Sequence, residues 1–363
     1  MRSIELPSKR LIASYVLDWI VIIAIAAVGG AWNSITPYHR PFSLLDLSIS
    51  FPMTTPETIP TWLLIVVSLI VPAAIVFLVC IFFLPSRGNQ SRTTSGVWRR
   101  KLWELNVGWM GLALSVATAF LITQGMKNLF GKPRPDLLDR CQPDVANLAN
   151  YVVGGYGQDI SARWALVSSG ICKQSDASTL NDGFRSFPSG HSSFSWAGLL
   201  YLTLFLCSKF AIAIPFLPPT ASPTASTSPS NDHQDPAPLL PLHTPKPTHH
   251  SDPTPASSTF TSSTSAPPNL LGSSASPHPS AAHSLPPAPP TLTLILPLIP
   301  LGAAAYISAS RYFDFRHHGF DIIVGTLIGM VCGWGGFRWF HCPVGRGGGS
   351  AWGVRKGWGF GWM

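Results

Sequence analysis

The sequence predicts an all-α integral membrane protein: a six-transmembrane-helix bundle with a disordered Pro/Ser/Thr-rich insert. Three observations carry this. Only 11% of the 363 residues are charged while 46% are hydrophobic, a balance that suits a bilayer better than one large soluble domain. Six stretches approach the roughly 20 apolar residues that a spanning helix needs: about 11–31, 61–84, 105–126, 194–217, 291–309 and 320–340. Residues 218–290 are dominated by Pro, Ser, Thr and Ala, and such a segment buries too little apolar surface to offset its conformational entropy.

Taken in order, the first stretch is too long for a secretory leader and lacks its small-residue cleavage site, so it reads as a span. An outer loop of about 32–60 follows, carrying Arg40-Pro41-Phe42 and Asp46-Leu47-Ser48-Ile49. It is too long for a tight turn and is placed to cap the mouth of the bundle. The second and third spans are joined by a short basic loop. Residues 127–191 form a long outer loop, and the fourth span follows it. The chain then divides into 1–217 with four spans, the insert 218–290, 291–340 with two spans, and a Gly/Trp-rich tail 341–363.

The net charge of +8 could suggest nucleic acid, but its placement argues otherwise. Arg2, Lys9 and Arg10 precede the first span, and Arg87, Arg92, Arg99, Arg100 and Lys101 lie between the second and third. Arg338, Arg346, Arg355 and Lys356 lie at the end of the sixth span or beyond it. With six spans all three groups fall on one side, which the positive-inside rule makes cytoplasmic. The insert shares that side. Its six histidines read as solvated low complexity rather than as a metal site. Cys80, Cys207 and Cys332 fall within spans as packed side chains. Cys141 and Cys172 share the outer loop, where an oxidising lumen would permit a disulfide; the sequence leaves that choice open.

Chemistry is concentrated in three motifs at the outer ends of spans. The first holds Lys127 and Arg134, the arginine stiffened between Pro133 and Pro135. Lys127 alone would be read as a snorkelling interfacial lysine, and Lys132 as solvated. The second is Pro188-Ser189-Gly190-His191. There Ser189 supplies a hydroxyl, Gly190 allows close backbone approach, the helix start can cradle an anion, and His191 can protonate a leaving oxygen. The third is Ser310-Arg311-x5-His317-x3-Asp321. Arg311 can grip phosphate oxygens with its planar fork. His317 and Asp321 share a helical face, so the carboxylate can accept a hydrogen bond from one imidazole nitrogen and leave the other as nucleophile; taken alone, the motif reads equally as a charged loop end with Asp321 capping the next helix. Asp314, Arg316 and His318 read as loop residues. Asp18, within the first span, reads as a structural pair.

In order, spacing and residue type, these motifs resemble the type 2 phosphatidic acid phosphatase superfamily, which includes lipid phosphate phosphatases, diacylglycerol pyrophosphate phosphatases and vanadium haloperoxidases. The resemblance implies His317 as nucleophile, Asp321 as the group that orients it, and His191 as the acid. It implies Lys127, Arg134, Ser189, Gly190 and Arg311 as phosphate ligands. The expected activity is metal-independent hydrolysis of phosphatidate, diacylglycerol pyrophosphate and related lipids through a phosphohistidine. No metal or cofactor and no nucleic acid is expected, and the site would face the lumen or exterior of a vacuolar, Golgi or plasma membrane. A non-catalytic phospholipid-binding or signalling membrane protein is the alternative; a soluble vanadate peroxidase is disfavoured by the six spans.

Overall fold

The computed structural model describes residues 9–83, 94–161, 164–210, 212, 291–343 and 351. The insert expected over 218–290, most of the tail, and Arg2, Arg87 and Arg92 lie outside them. Five helices among the described residues are long and apolar enough to cross a membrane. They are α1 (Lys9–Asn33), the segment Thr61–Phe83, α4 (Thr94–Phe130), α8 (Ile295–Phe313, with one 3₁₀ turn before it) and α9 (Gly319–Phe340). Thr61–Phe83 is α2 (Thr61–Ile65) and α3 (Val71–Leu78), each followed by a π turn. Ile12, Val16, Leu17, Ile20 and Ile23 of α1 are exposed, as are Ile323, Leu327 and Val331 of α9. Large apolar side chains facing outward along whole helices belong to a chain solvated by lipid, so the protein is a multi-pass membrane protein.

The fourth expected span is α7 (Gly190–Lys209). It begins four residues before the expected start and ends at Lys209, and it falls outside the group of strongly apolar helices. Its residues Ser192, Ser193, Ser195 and Thr203 are buried. They can be, because α7 is enclosed by α2, α3, α4, α8 and α9, and the hydroxyls donate to backbone carbonyls one turn back, as Ser195 does to Ser192 at 3.2 Å and Thr203 to Leu199 at 2.9 Å. The core between these helices contains Val76, Leu105, Leu112, Tyr201, Phe205 and Phe337. Close approach of α9 depends on glycine. A Cβ on Gly325 would lie 2.5 Å from the Ser189 carbonyl, and one on Gly329 2.5 Å from that of Ser193, so a stripe of small residues lets the two backbones touch.

Above the bundle lies an outer layer built from the first and third loops. It contains α5 (Leu137–Cys141), α6 (Ala177–Gly183) and the antiparallel strands β1 (Val152–Gly154) and β2 (Leu166–Val167). Its core is Phe42, Ile49, Leu137, Val167, Ile171 and Phe184. Cys141 and Cys172 form a disulfide, which closes the choice the sequence left open. The first loop, expected to cap the mouth of the bundle, is tied into this layer. Phe42 and Val167 exchange backbone hydrogen bonds at 3.2 and 2.8 Å, and the Phe51 N–H donates to the Pro135 carbonyl at 2.9 Å.

Candidate active site

The three motifs meet where the bundle joins the outer layer. Lys127 is in the last turn of α4, and four residues later Gly131 turns the chain. Arg134 then docks on α6: its N–H donates to the Gly183 carbonyl at 2.8 Å, and its Nη2 reaches Asp182 at 2.8 Å. Ser189 N-caps α7, accepting from the Ser192 N–H at 3.4 Å and the Ser192 hydroxyl at 3.0 Å. Gly190 and His191 begin that helix. Arg311 is in the last turn of α8, and His317 sits in the short connection to α9.

A cavity of about 350 Å³ gathers Lys127, Arg134, Gly190, His191, Arg311 and His317 on its wall, a volume in the range of small-ligand pockets. Phe120, Leu64, Ile65 and Phe194 supply an apolar side. Ser189 and Asp321, also expected as site residues, do not line it. Both are fully buried behind the wall, where the Ser189 N–H donates to the Asp321 carbonyl at 3.0 Å.

The position of Asp321 corrects one expectation: its carboxylate does not accept from His317. It caps α9, accepting from the His318 N–H at 3.1 Å; it takes the Ser186 hydroxyl at 2.5 Å and pairs with Lys132 at 2.7 Å. His317 instead donates from Nδ1 to the Ser186 carbonyl at 2.6 Å. A carbonyl can only accept, so Nδ1 carries the hydrogen and Nε2 keeps the lone pair. The connection from Asp321 to His317 therefore runs through Ser186, with the hydroxyl on the carboxylate and the carbonyl on the imidazole. The helical register explains the change. Asp321 is at the third position of α9 and turns back to the helix start, while His317 lies outside the helix and faces the cavity. By the same rule His191, whose Nε2 donates to the Ile59 carbonyl at 3.0 Å, has Nδ1 left to take up or release a proton.

Three further side chains belong to the cavity, and sequence reasoning missed two of them and misplaced the third. Glu57 of the first loop pairs with Arg311 at 2.8 Å. Asp182 of α6 pairs with Arg134 and Arg140 at 2.8 and 3.0 Å. Arg316, read as a loop residue, is buried and lines the wall. Asp314, read the same way, is buried against Arg311 at 2.8 Å. Lys132, read as solvated, holds Asp321. A carboxylate in an outer loop carried no signal of its own; Asp314 and Arg316, both inside the third motif, could have been suspected because so short a connection leaves little room for solvated charge.

The electrostatics favour a neutral imidazole and ionised carboxylates. Burial first, then the positive charges of Arg134 and Lys127, hold the His317 pKa well below its ordinary value. Burial works against the charged form of Asp182, yet Arg134, Arg140 and Lys127 outweigh it and lower its pKa to about 2. Arg134 Nε and Arg316 Nε are buried with no hydrogen-bond partner among the described residues. Among the same residues, no three His, Cys, Asp or Glu side chains gather as metal ligands.

The family model for the PAP2 superfamily matches residues 108–342, an extent that contains all three motifs. The probable diacylglycerol pyrophosphate phosphatase 1 of Schizosaccharomyces pombe is 26% identical, the match covering 90% of this chain and 81% of the relative. Diacylglycerol pyrophosphate phosphatase 1 of Saccharomyces cerevisiae is 34% identical, over 85% of this chain and 73% of the relative. Probable lipid phosphate phosphatase 4 of Arabidopsis thaliana is 26% identical over 58% of each. No solved structure matches the chain.

Proposed function

The chain belongs to the PAP2 superfamily, and from that premise we propose that it is a metal-independent membrane phosphatase acting on phosphatidate, diacylglycerol pyrophosphate and related lipid phosphates. The names of its fungal and plant relatives support the substrate class. The observation that carries the reading is the presence of two histidines, His191 and His317, on one cavity wall with Lys127, Arg134 and Arg311.

In this reading Nε2 of His317 attacks phosphorus. A P–N bond forms as the P–O bond to the leaving group breaks, and His191, entering the step as an imidazolium with a proton on each nitrogen, gives the departing oxygen the one on Nδ1. Its Nε2–H stays on the Ile59 carbonyl throughout. His191 then takes a proton from water, the water oxygen attacks phosphorus, the P–N bond breaks, and inorganic phosphate leaves. Charge on the equatorial oxygens is met by Lys127, Arg134 and Arg311, fixed cations that need no reorganisation. The start of α7 at Gly190 turns a helix N-terminus toward the cavity; a Cβ on Gly190 would stand 3.2 Å from Lys127 Nζ, so any larger residue there would press on that lysine. Asp321 acts through Ser186.

With α7 counted to bring the spans to six, the site faces the lumen or exterior of a vacuolar, Golgi or plasma membrane. The test is phosphate release from a panel of lipid phosphates with chelator present. Wild type retains its rate, and His317→Ala falls by roughly a thousandfold or more, as expected when a nucleophile is removed. Loss of wild-type release on chelation would refute metal independence, and an undiminished His317→Ala rate would refute the mechanism.

A further inference from the structure

One carboxylate on the cavity wall has no part in the chemistry above. Glu57 reaches Arg311 Nη1 through Oε2 at 2.8 Å and Arg316 Nη2 through Oε1 at 3.2 Å. Two oxygens of one planar anion thus bridge two guanidinium groups, a pattern that two oxygens of a phosphate would satisfy equally well. Arg316 is buried and lines this wall, and its Nε has no hydrogen-bond partner among the described residues. The Glu57 side chain keeps 30% of its surface exposed, so it has a route out.

Nor does the loop depend on Glu57 for its position. The next residue, Thr58, donates to Asp314 from its N–H at 3.0 Å and from its hydroxyl at 2.6 Å, and the Thr54 carbonyl accepts from Arg316 at 3.1 Å. The carboxylate can swing away while its backbone stays fixed. Asp182 differs, because it is anchored by Arg134 and Arg140 together.

We infer that Glu57 is a tethered competitor for the substrate's phosphate and that Arg316 is a further phosphate ligand, freed when Glu57 is displaced. The identity of the lipid rests on the phosphatase reading; the anion site does not. The consequence is selectivity by charge. A phosphomonoester or a terminal pyrophosphate group brings up to two negative charges to the arginine pair and displaces a carboxylate that brings one. A phosphodiester also brings only one, so it gains nothing over Glu57. The device disfavours the bulk phosphodiester lipids of a bilayer, which is discrimination by a built-in rival rather than by added contacts.

The test compares wild type, Glu57→Gln and Arg316→Gln, purified in detergent at neutral pH. Binding of inorganic phosphate is measured by calorimetry, which needs no turnover. Glu57→Gln is expected to bind phosphate about tenfold more tightly and Arg316→Gln about tenfold more weakly, the scale of one charge-assisted contact. Glu57→Asp, too short to bridge both arginines, is expected to fall between wild type and Glu57→Gln. In mixed micelles, phosphatidylglycerol should inhibit phosphate release by Glu57→Gln and leave wild type unaffected. Phosphate affinity unchanged or weakened in Glu57→Gln and Glu57→Asp would overturn the competitor, and an unchanged affinity in Arg316→Gln would overturn the ligand. A wild type that binds phosphate yet releases none from lipid would sink the proposed function while leaving the binding comparison to judge this inference.

Discussion

Replacing Ser186 by alanine isolates the connection between Asp321 and His317. Ser186 touches both: its hydroxyl donates to Asp321 Oδ2 at 2.5 Å, and its carbonyl accepts from His317 Nδ1 at 2.6 Å. Alanine keeps the carbonyl and removes only the hydroxyl. A hydrogen bond to a charged acceptor contributes about 1.5–3 kcal/mol. Here the lower end applies, because Asp321 retains the His318 N–H at 3.1 Å and Lys132 at 2.7 Å and is not stranded. If that energy positions the imidazole, a loss of about 1.5 kcal/mol lowers kcat roughly tenfold. Phosphate affinity should not move, since Lys127, Arg134 and Arg311 are untouched. The assay is initial-rate phosphate release from phosphatidate in mixed micelles, with inhibition by inorganic phosphate as the binding control. Asp321→Asn and the double variant complete a cycle, and the two changes should be less than additive because they cut one connection. A kcat within about twofold of wild type, or fully additive losses, would refute the relay and leave Asp321 as a helix cap alone.

Three other outcomes follow from the same geometry. The Cys141–Cys172 bridge spans 31 residues, and closing a loop of that length removes about 3–4 kcal/mol of unfolded-state entropy; Cys141→Ser with Cys172→Ser should lower the unfolding midpoint accordingly, and an unchanged midpoint would contradict it. His317 has its pKa pushed well below 6.5 by burial and then by Arg134 and Lys127, so the imidazole proposed as nucleophile stays unprotonated in mild acid. The acid limb of kcat/KM, corrected for the phosphate's own ionisation, should therefore lie below pH 6.5, and a limb at or above that value would oppose the reading. Gly325→Ala places a methyl 2.5 Å from the Ser189 carbonyl and should cost about 1–3 kcal/mol while displacing the start of α7 and reducing phosphate release. Gly335→Ala, with nothing within 4 Å of its added Cβ, is the control and should leave both melting and rate unaltered.

Helices were readable because transfer to an apolar environment is a local, nearly additive property of a segment. Thr61–Phe83 and Gly319–Phe340 emerged within a residue of the apolar stretches that predicted them. The helix that falls outside the strongly apolar group, α7, is also the one whose buried serines depend on neighbours rather than on its own composition. Motif residues were readable for a related reason: the ends of helices fix which residue types can face one boundary, so Lys127, Arg134, His191, Arg311 and His317 could be brought to a common cavity in advance.

Which charge answers which was not readable. Glu57 meets Arg311 across 254 positions, and Lys132 meets Asp321 across 189. Helical spacing put Asp321 beside His317, yet the carboxylate turned to its own helix start and reached the imidazole only through Ser186. Composition and spacing alone thus determined that this chain enters a bilayer and carries a cationic histidine site. The choice of partners fell to the folded state, because a buried ion is stable only beside the particular groups that compensate its desolvation, and those groups are chosen by packing between distant segments.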